Sequence, residues 1–441
     1  MIQDYSTALM TDMYEYTMLD AALKDGTANR KCVFEVFTRH LPLGRRYGVV
    51  AGTGRILDAL EHFHLNEADL RFLSDRGIVS AETIKWLENF TFTGTIKGYR
   101  EGEMFFPNSP VLEVEGTFGE CTLLETLLLS ILNYDSAVAS AASRMVSAAG
   151  DRPCMDMGSR RTNESSAIAA ARAAVVGGFQ GTSNLRAAQL YGLNVIGTSA
   201  HCFTLVHDSE RDAFVSQVKA MGVNTTLLVD TYNIENAIKT AVEVAGPELG
   251  CVRIDSGDLA ALAQRVRNQL DTLGAKNTKI TVTNDLDEYA LASLQSAPVD
   301  SYGVGTMLVT GSGAPTCAMV YKLTEREGEN GVMVPVAKHS KNKATTPGRK
   351  LAFRSYEYGL ADAEHVVCGS EEQLARFQPE EDWKDLMVNY MNHGEADTQY
   401  QGSDAIVNAR NHRAQSLAEL PITAQSLMKG DPSIPTKIDL L

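Results

Sequence analysis

Val252-Arg253-Ile254 running into Asp255-Ser256-Gly257-Asp258 is one copy of a phrase that recurs from Asn194 to Thr306: a short apolar run stops abruptly in Gly, Ser, Thr, Asp or His, and a stretch with helical spacing follows. The other copies are Val195-Ile196 into Gly197-Thr198-Ser199-Ala200-His201, Leu227-Leu228-Val229 into Asp230-Thr231, Ile280-Thr281-Val282 into Thr283-Asn284-Asp285, and Tyr302 into Gly303-Val304-Gly305-Thr306. Strand starts near 195, 227, 252, 280 and 302 leave intervals of 22 to 32 residues, room for one strand, one helix and two short loops. In a parallel sheet or barrel built this way every strand delivers its C-terminal end to one face, so the polar clusters converge on one site. The chain reads as an α/β enzyme with a barrel and a second domain.

Upstream, a helix around Thr11-Asp12-Met13-Tyr14 closes near Gly26, and a strand-like run follows from Cys32 to Arg39. Its alternation is imperfect, because Glu35 shares a face with Val33 and Phe37. Residues 92–116, rich in Thr, Val and Gly with Pro107 and Pro110, read as short strands and turns. Leu123, Leu124, Leu127, Leu128 and Ile131 fall at helical spacing, with Thr122 and Glu125 placed as a capping box. A separate Ala/Ser-rich helix from Asp135 to Ala149 closes on Gly150. Cys154-Met155-Asp156-Met157 is the first barrel strand, and a helix from Asn163 to Val176 stops at Gly177-Gly178. The predicted division is a β-rich domain over 1–134, a barrel over 135–344, and a tail over 345–441, part of which returns to the first domain.

Composition limits the partners. Of 441 residues, 44% are apolar and 22% charged, values of an ordinary globular protein with chain enough for a large core. A formal charge of −15 with no offsetting basic stripe argues against general nucleic-acid binding. Asp4, Asp12 and Glu15 interrupt the N-terminus, so it does not read as a signal peptide, and no run of 18 apolar residues suggests a membrane span. Seven scattered cysteines without a C-x-x-C pair read as buried hydrophobes in a reducing, cytoplasmic compartment.

The strand-end residues carry the chemistry. Asp255 and Asp258 flank a Ser-Gly turn that opens a helix; free N–H groups there suit an anion, and the carboxylates suit Mg²⁺ or a developing positive charge. Equally, Asp258 fits a plain N-cap and Asp255 a turn. Gly303-Val304-Gly305-Thr306, followed by Gly311-Ser312-Gly313, is a Gly-rich stretch where barrels often bind phosphate, although a simple turn fits the same residues. His201 lacks the partner spacing of a metal site, so it is either a structural histidine or a base or nucleophile aimed at the common face. Arg253 lies inside its strand and needs an anion to offset burial, and Arg160 with Arg161 adds positive charge to the same face. Lys338, Lys341, Lys343, Arg349 and Lys350 form a basic tract, either a solvated loop or a border to the phosphate side.

Leu9-Met10-Thr11-Asp12-Met13-Tyr14, Met157-Gly158-Ser159-Arg160-Arg161, Gly197 to His201, Val252 to Asp258, Gly303 to Thr306, and Thr346-Pro347-Gly348 through Phe353-Arg354 occur in one order. Together they resemble the nicotinate phosphoribosyltransferase family over roughly residues 5 to 355. The resemblance implies an irregular (β/α) barrel beside a β-rich α+β domain built from both chain ends. It implies transfer of phosphoribose from phosphoribosyl pyrophosphate to nicotinate, giving nicotinate mononucleotide and pyrophosphate, with ATP as co-substrate and Mg²⁺ accompanying the pyrophosphate. His201 would be phosphorylated; Arg253, Thr198 and Tyr14 would hold nicotinate, Tyr14 coming from the other subunit of a homodimer with shared sites. Arg160, Ser256, Gly257, Gly305 and Thr306 would face the ribose phosphate and pyrophosphate, while Asp255 and Asp258 steady the reacting ribose. The Mg²⁺ ligands stay unassigned. Rival readings are a nicotinamide or quinolinate phosphoribosyltransferase, and a barrel that senses a nucleotide without turnover.

Overall fold

The computed structural model describes residues 6–338 and 345–441. The chain forms two compact units, one from the segment up to Ser140 together with Ala314–Leu441, the other the continuous segment Ala141–Gly313.

The continuous unit contains the repeat. Its six-stranded sheet runs in the order Gly181–Thr182, Cys154–Asp156, Ser301–Val304, Lys279–Val282, Cys251–Ile254, Thr226–Leu228, and all five pairings are parallel. The repeats of the sequence are therefore strands, with Leu227, Val252, Ile254, Ile280, Val282, Tyr302 and Val304 fully buried. Helices Glu210–Met221, Ile234–Ala245, Leu259–Thr272 and Glu288–Ser293 lie between them in the chain. The first strand of the series pairs with the last, Tyr302 beside Cys154. One expectation is reduced: Val195 makes only an isolated bridge to Thr182 and stays exposed, too little burial to hold a strand. Among the described residues no pairing joins it to Thr226–Leu228.

In the other unit, seven strands run in the order Met333–Pro335, Val320–Glu327, Lys31–Phe37, Leu112–Thr117, Thr95–Tyr99, Met387–Asn392, Glu395–Ala396. Lys31–Phe37 is buried at every position after the first, which is why its alternation failed. Glu35 is tolerated in that interior because Lys350, also buried, pairs with it at 2.5 Å. Arg349 does the same for buried Glu325 at 2.9 Å and reaches outward to the partly exposed Glu115 at 2.6 Å. Removing one partner of such a pair costs about 3 to 5 kcal/mol, since the other charge is left buried alone. Arg349 and Lys350 thus belong to the core, not to a basic loop; Lys338 is exposed, and Lys341 and Lys343 lie outside the described residues. A second, four-stranded sheet joins Lys384–Asp385, Arg349–Glu357, Leu360–Gly369 and the final strand Thr436–Leu440.

Two helix expectations change. The segments around Leu127 and Ala141 are one helix, Glu125–Ala149, since Asn133-Tyr134 contains no residue that stops it. The capping box is Thr117 with Glu120, which opens the short helix Phe118–Thr122. The remaining termini follow the sequence, with Asp12 and Gly26 bounding Met13–Asp25 and Asn163 and Gly177 bounding Glu164–Val176. Among the described residues no helix is long and apolar enough to cross a membrane.

Candidate active site

The strand ends of the continuous unit meet around a residue that sequence reading did not select, Asp230. It follows Leu228 and Val229 at the end of its strand, and its side chain is 1% exposed. One carboxylate oxygen faces His201 Nε2 at 3.1 Å. The other accepts from the backbone N–H of Asp255 at 2.9 Å and from Ser256 Oγ at 2.6 Å. Asp230 therefore ties the ends of two neighbouring strands to the histidine loop. A carboxylate only accepts, so Nε2 of His201 carries a proton, and in the neutral ring the lone pair is on Nδ1. His201 opens the short helix His201–Leu205, with its side chain 40% exposed. The only signal for Asp230 was its place after an apolar run, a position it shared with several other polar residues.

Arg253 sits one strand over, between buried Val252 and Ile254, so its half-buried side chain takes the opposite face. Nη1 donates to Thr198 Oγ1 at 2.8 Å, and Nε is buried with no acceptor. Among the described residues Arg253 has no salt-bridge partner. Burial draws its pKa down, Asp255 and Asp230 oppose that, and Arg160 adds to it. The ion pair with Asp255 that would have explained Arg253 structurally does not form; the guanidinium is held in place and left short of an anion.

Asp255 accepts a hydrogen bond from the Thr283 hydroxyl at the end of the next strand. Ser256 and Gly257 are exposed, and Gly257 has φ of 79°, a conformation that suits glycine. Asp258 caps Leu259–Thr272, accepting from Ala261 N at 3.2 Å, so the plain capping role is present at this position. Arg160 and Arg161 are exposed on the turn Ser159–Arg161. Asp156, 1% exposed at the end of the first strand, accepts from Gly158 N and from Thr182 Oγ1; burial pushes its carboxyl up and these two hydrogen bonds oppose that.

The Gly-rich stretch divides into two roles. Gly303 is within its strand, where a Cβ would meet Met157 Sδ at 2.5 Å and Thr283 Cγ2 at 2.6 Å, so its glycine serves packing. Gly305 and Thr306 open the short helix Thr306–Val309 at the strand end. Ser312 is anchored through Oγ to Glu288, which pairs with Arg144 in the interior. Tyr14 belongs to the other unit, on helix Met13–Asp25, where it is exposed beside Met10, Met13 and Met18. Its phenol is pushed up to about 12 by partial burial and by Glu125 and Glu15. Among the described residues no group of three or more His, Cys, Asp or Glu is placed to hold a metal ion.

Two family descriptions match the chain: the nicotinate phosphoribosyltransferase N-terminal domain over residues 9–133 and the nicotinate phosphoribosyltransferase family over 153–358. The chain is 50% identical to nicotinate phosphoribosyltransferase pncB1 of Mycobacterium tuberculosis, over 97% of this chain and 94% of that protein. It is 38% identical to nicotinate phosphoribosyltransferase of Bacillus subtilis, over 80% and 74%. Its fold is similar to the crystal structure of human nicotinic acid phosphoribosyltransferase, with a TM-score of 0.82, 24% identity and 97% of each chain covered.

Proposed function

The chain belongs to the nicotinate phosphoribosyltransferase family, and from that premise we propose how its strand-end residues carry the reaction. It is an enzyme of NAD biosynthesis that joins nicotinate to the phosphoribosyl group of phosphoribosyl pyrophosphate. The observation that carries the site assignment is Arg253, a half-buried guanidinium fixed by Thr198 with a buried Nε lacking an acceptor. Nicotinate supplies the missing carboxylate, and a planar fork suits it better than an ammonium would.

With the carboxylate on Arg253 and Thr198, the pyridine nitrogen attacks C1 of the ribose. The bond from C1 to the pyrophosphate oxygen breaks, and its electron pair leaves with pyrophosphate. Asp255, steadied by Thr283, and Asp258 stabilise the positive charge that develops at C1. Arg160, Ser256, Gly257, Gly305 and Thr306 face the phosphates. Mg²⁺ neutralises pyrophosphate charge when bound. Asp255 and Asp258 are the hard oxygen donors that would hold it, and a pair of carboxylates fits an ion that keeps substrate phosphates and waters as its other ligands.

His201 couples the reaction to ATP. Its free Nδ1 takes the γ-phosphoryl group, ADP departs, and Asp230 holds Nε2–H throughout. Water later cleaves the phosphohistidine to inorganic phosphate. We further propose that the parallel sheet rolls into an irregular barrel, supported by the pairing of its first and last strands. The expected division at 134 and 344 is moved: Val320–Glu327 and Met333–Pro335 pair into the seven-stranded sheet, so we assign the β-rich domain to the segment up to Ser140 with Ala314–Leu441 and the barrel to Ala141–Gly313. Two copies form a homodimer in which Tyr14 completes the partner's nicotinate site, supported by the exposed apolar group around it. Seven free cysteines suit a cytoplasmic setting.

The test is nicotinate mononucleotide formation from nicotinate and phosphoribosyl pyrophosphate with Mg²⁺, with and without ATP, beside nicotinamide and quinolinate. Faster turnover of either alternative pyridine would overturn the substrate assignment. Mixing Tyr14→Ala and His201→Ala chains should restore activity through hybrid dimers; no recovery after verified subunit exchange would mean each site is built within one chain.

A further inference from the structure

Asp156 stands apart from the other strand-end carboxylates. It is buried and makes no ion pair among the described residues. Both of its oxygens are instead committed to neighbouring loops. Oδ1 accepts from Gly158 N at 2.8 Å, the residue that opens the turn Ser159–Arg161. Oδ2 accepts from Thr182 Oγ1 at 2.6 Å. The same Thr182 oxygen accepts from Asn184 N at 2.9 Å, and Asn184 Nδ2 donates to Ser159 Oγ at 3.1 Å. Two routes thus lead from one carboxylate to one turn. The first is direct, through Gly158; the second circles through Thr182 and Asn184 and returns at Ser159, immediately before Arg160.

That closed circuit has a reason. Gly158 cannot carry a side chain, because a Cβ would sit 2.2 Å from Val309 Cγ1, so the turn has no side-chain packing of its own at this point. Arg160 and Arg161 are both exposed and gain no fixed direction from burial. The hydrogen-bond circuit is what fixes the backbone from which they project. We infer that Asp156 is a positioning residue that sets the arginine turn for the phosphates of phosphoribosyl pyrophosphate. This rests on the proposed role of Arg160.

The substitution Asp156→Asn tests it with little change of shape. The amide oxygen keeps Gly158 N, and the amide nitrogen meets Thr182 Oγ1, which already accepts from Asn184 and whose own hydrogen then has no acceptor. Thr182→Val breaks the same contact from the other side, and Thr182→Ser preserves it. Since misplacement of about 1 Å can cost up to roughly 100-fold, a shift transmitted through one hydrogen bond should raise KM for phosphoribosyl pyrophosphate about 10-fold. Asp156→Asn and Thr182→Val should each show that rise, with nicotinate affinity by calorimetry within about twofold of the parent. The double variant should be no worse than Thr182→Val alone, because that substitution already removes the link to Asp156 together with the acceptor for Asn184 N. Thr182→Ser should behave as the parent does.

Unchanged KM in Thr182→Val, additive losses in the double variant, or equal weakening of both substrates alongside a lowered Tm would each overturn the inference. Should Asp156→Asn fail to fold, Thr182→Val and Thr182→Ser read the same link. Arg160→Ala separates this idea from the reading beneath it. If that variant leaves KM for phosphoribosyl pyrophosphate unchanged, the turn is not a phosphate site. If it raises KM while Thr182→Val does not, Arg160 binds phosphate and Asp156 does not position it.

Discussion

Replacing Asp230 by Asn changes one atom at the centre of the site, and the structure dictates which way the amide turns. Three donors share the two carboxylate oxygens: His201 Nε2 on one, Asp255 N and Ser256 Oγ on the other. Asparagine keeps one oxygen. Placed on Asp255 and Ser256 it satisfies two donors; placed on His201 it satisfies one and leaves the other two facing an NH₂ group. The half-buried Asp255 N–H left unsatisfied costs about 1 kcal/mol or more, whereas exposed Ser256 and the 40%-exposed His201 ring can turn to water, so the first orientation wins. The NH₂ group then points at His201 Nε2, which must accept instead of donate. The ring proton moves to Nδ1, and the nitrogen that would take the phosphoryl group loses its lone pair. Restoring the reactive tautomer means giving up one hydrogen bond, about 1.4 to 2.8 kcal/mol, and hence roughly a 10- to 100-fold slower ATP-coupled step. Product formation without ATP uses Arg253 and the carboxylates and should change little. Initial rates with and without ATP, together with acid-labile phosphate on the protein, read both quantities. Full ATP stimulation in a folded Asp230→Asn enzyme would refute the reasoning.

Arg253→Ala should weaken nicotinate by about 2 to 5 kcal/mol with a smaller change for phosphoribosyl pyrophosphate, and calorimetry showing normal nicotinate affinity would sink the assignment. Asp258 separates cap from catalyst: Asn caps as well as Asp, so Asp258→Asn should keep its Tm, whereas Asp258→Ala loses about 1 kcal/mol. A fall in turnover with Asp258→Asn identifies the charge as functional, and unchanged turnover leaves the residue as a cap alone. Asp20 gives a pH signature. Burial works to raise its carboxyl, yet hydrogen bonds from Lys24, Ser80 and Thr83 hold it well below the usual range. A pKa lowered by folding contributes stability above the unfolded value, lost as pH falls through the folded one. Asp20→Ala should therefore cost about 2 kcal/mol at neutral pH, and denaturant melts should show the penalty shrinking below about pH 4.

What the sequence made legible follows from what repeats. Buried parallel strands are short apolar runs, so Leu227, Val252, Ile280 and Tyr302 marked themselves, and parallel pairing carried His201, Arg253 and Asp255 to a common edge. Gly181–Thr182 escaped because two residues form no pattern, and Val195 misled because an apolar residue beside a loop looks like a strand even when it stays exposed. The charged interior was opaque for a different reason. Glu35 breaks the alternation of its strand, and the Lys350 that explains it lies more than three hundred positions away. Asp230 and Asp156 were visible as strand-end carboxylates, but choosing between them and Asp255 or Asp258 needed hydrogen-bond partners, which spacing does not reveal.

The pairing of Glu35 with Lys350 also orders events during synthesis. Ala141–Gly313 is one continuous stretch and can close as soon as it leaves the ribosome. Lys31–Phe37 and Leu112–Thr117 emerge earlier; Glu113 can pair at once with Lys97 at 2.8 Å, but Glu35 and Glu115 wait for the ion pairs that Lys350 and Arg349 supply. The strand that carries Glu35, among the first parts of the chain to be translated, is thus among the last to settle, and until then its unpaired carboxylate stays in water, where the charge resists premature sheet formation with other nascent chains. Limited proteolysis of stalled nascent chains should find residues 31–117 cleavable while 141–313 already resists; early protection of both would show that the strands close without their distant cations.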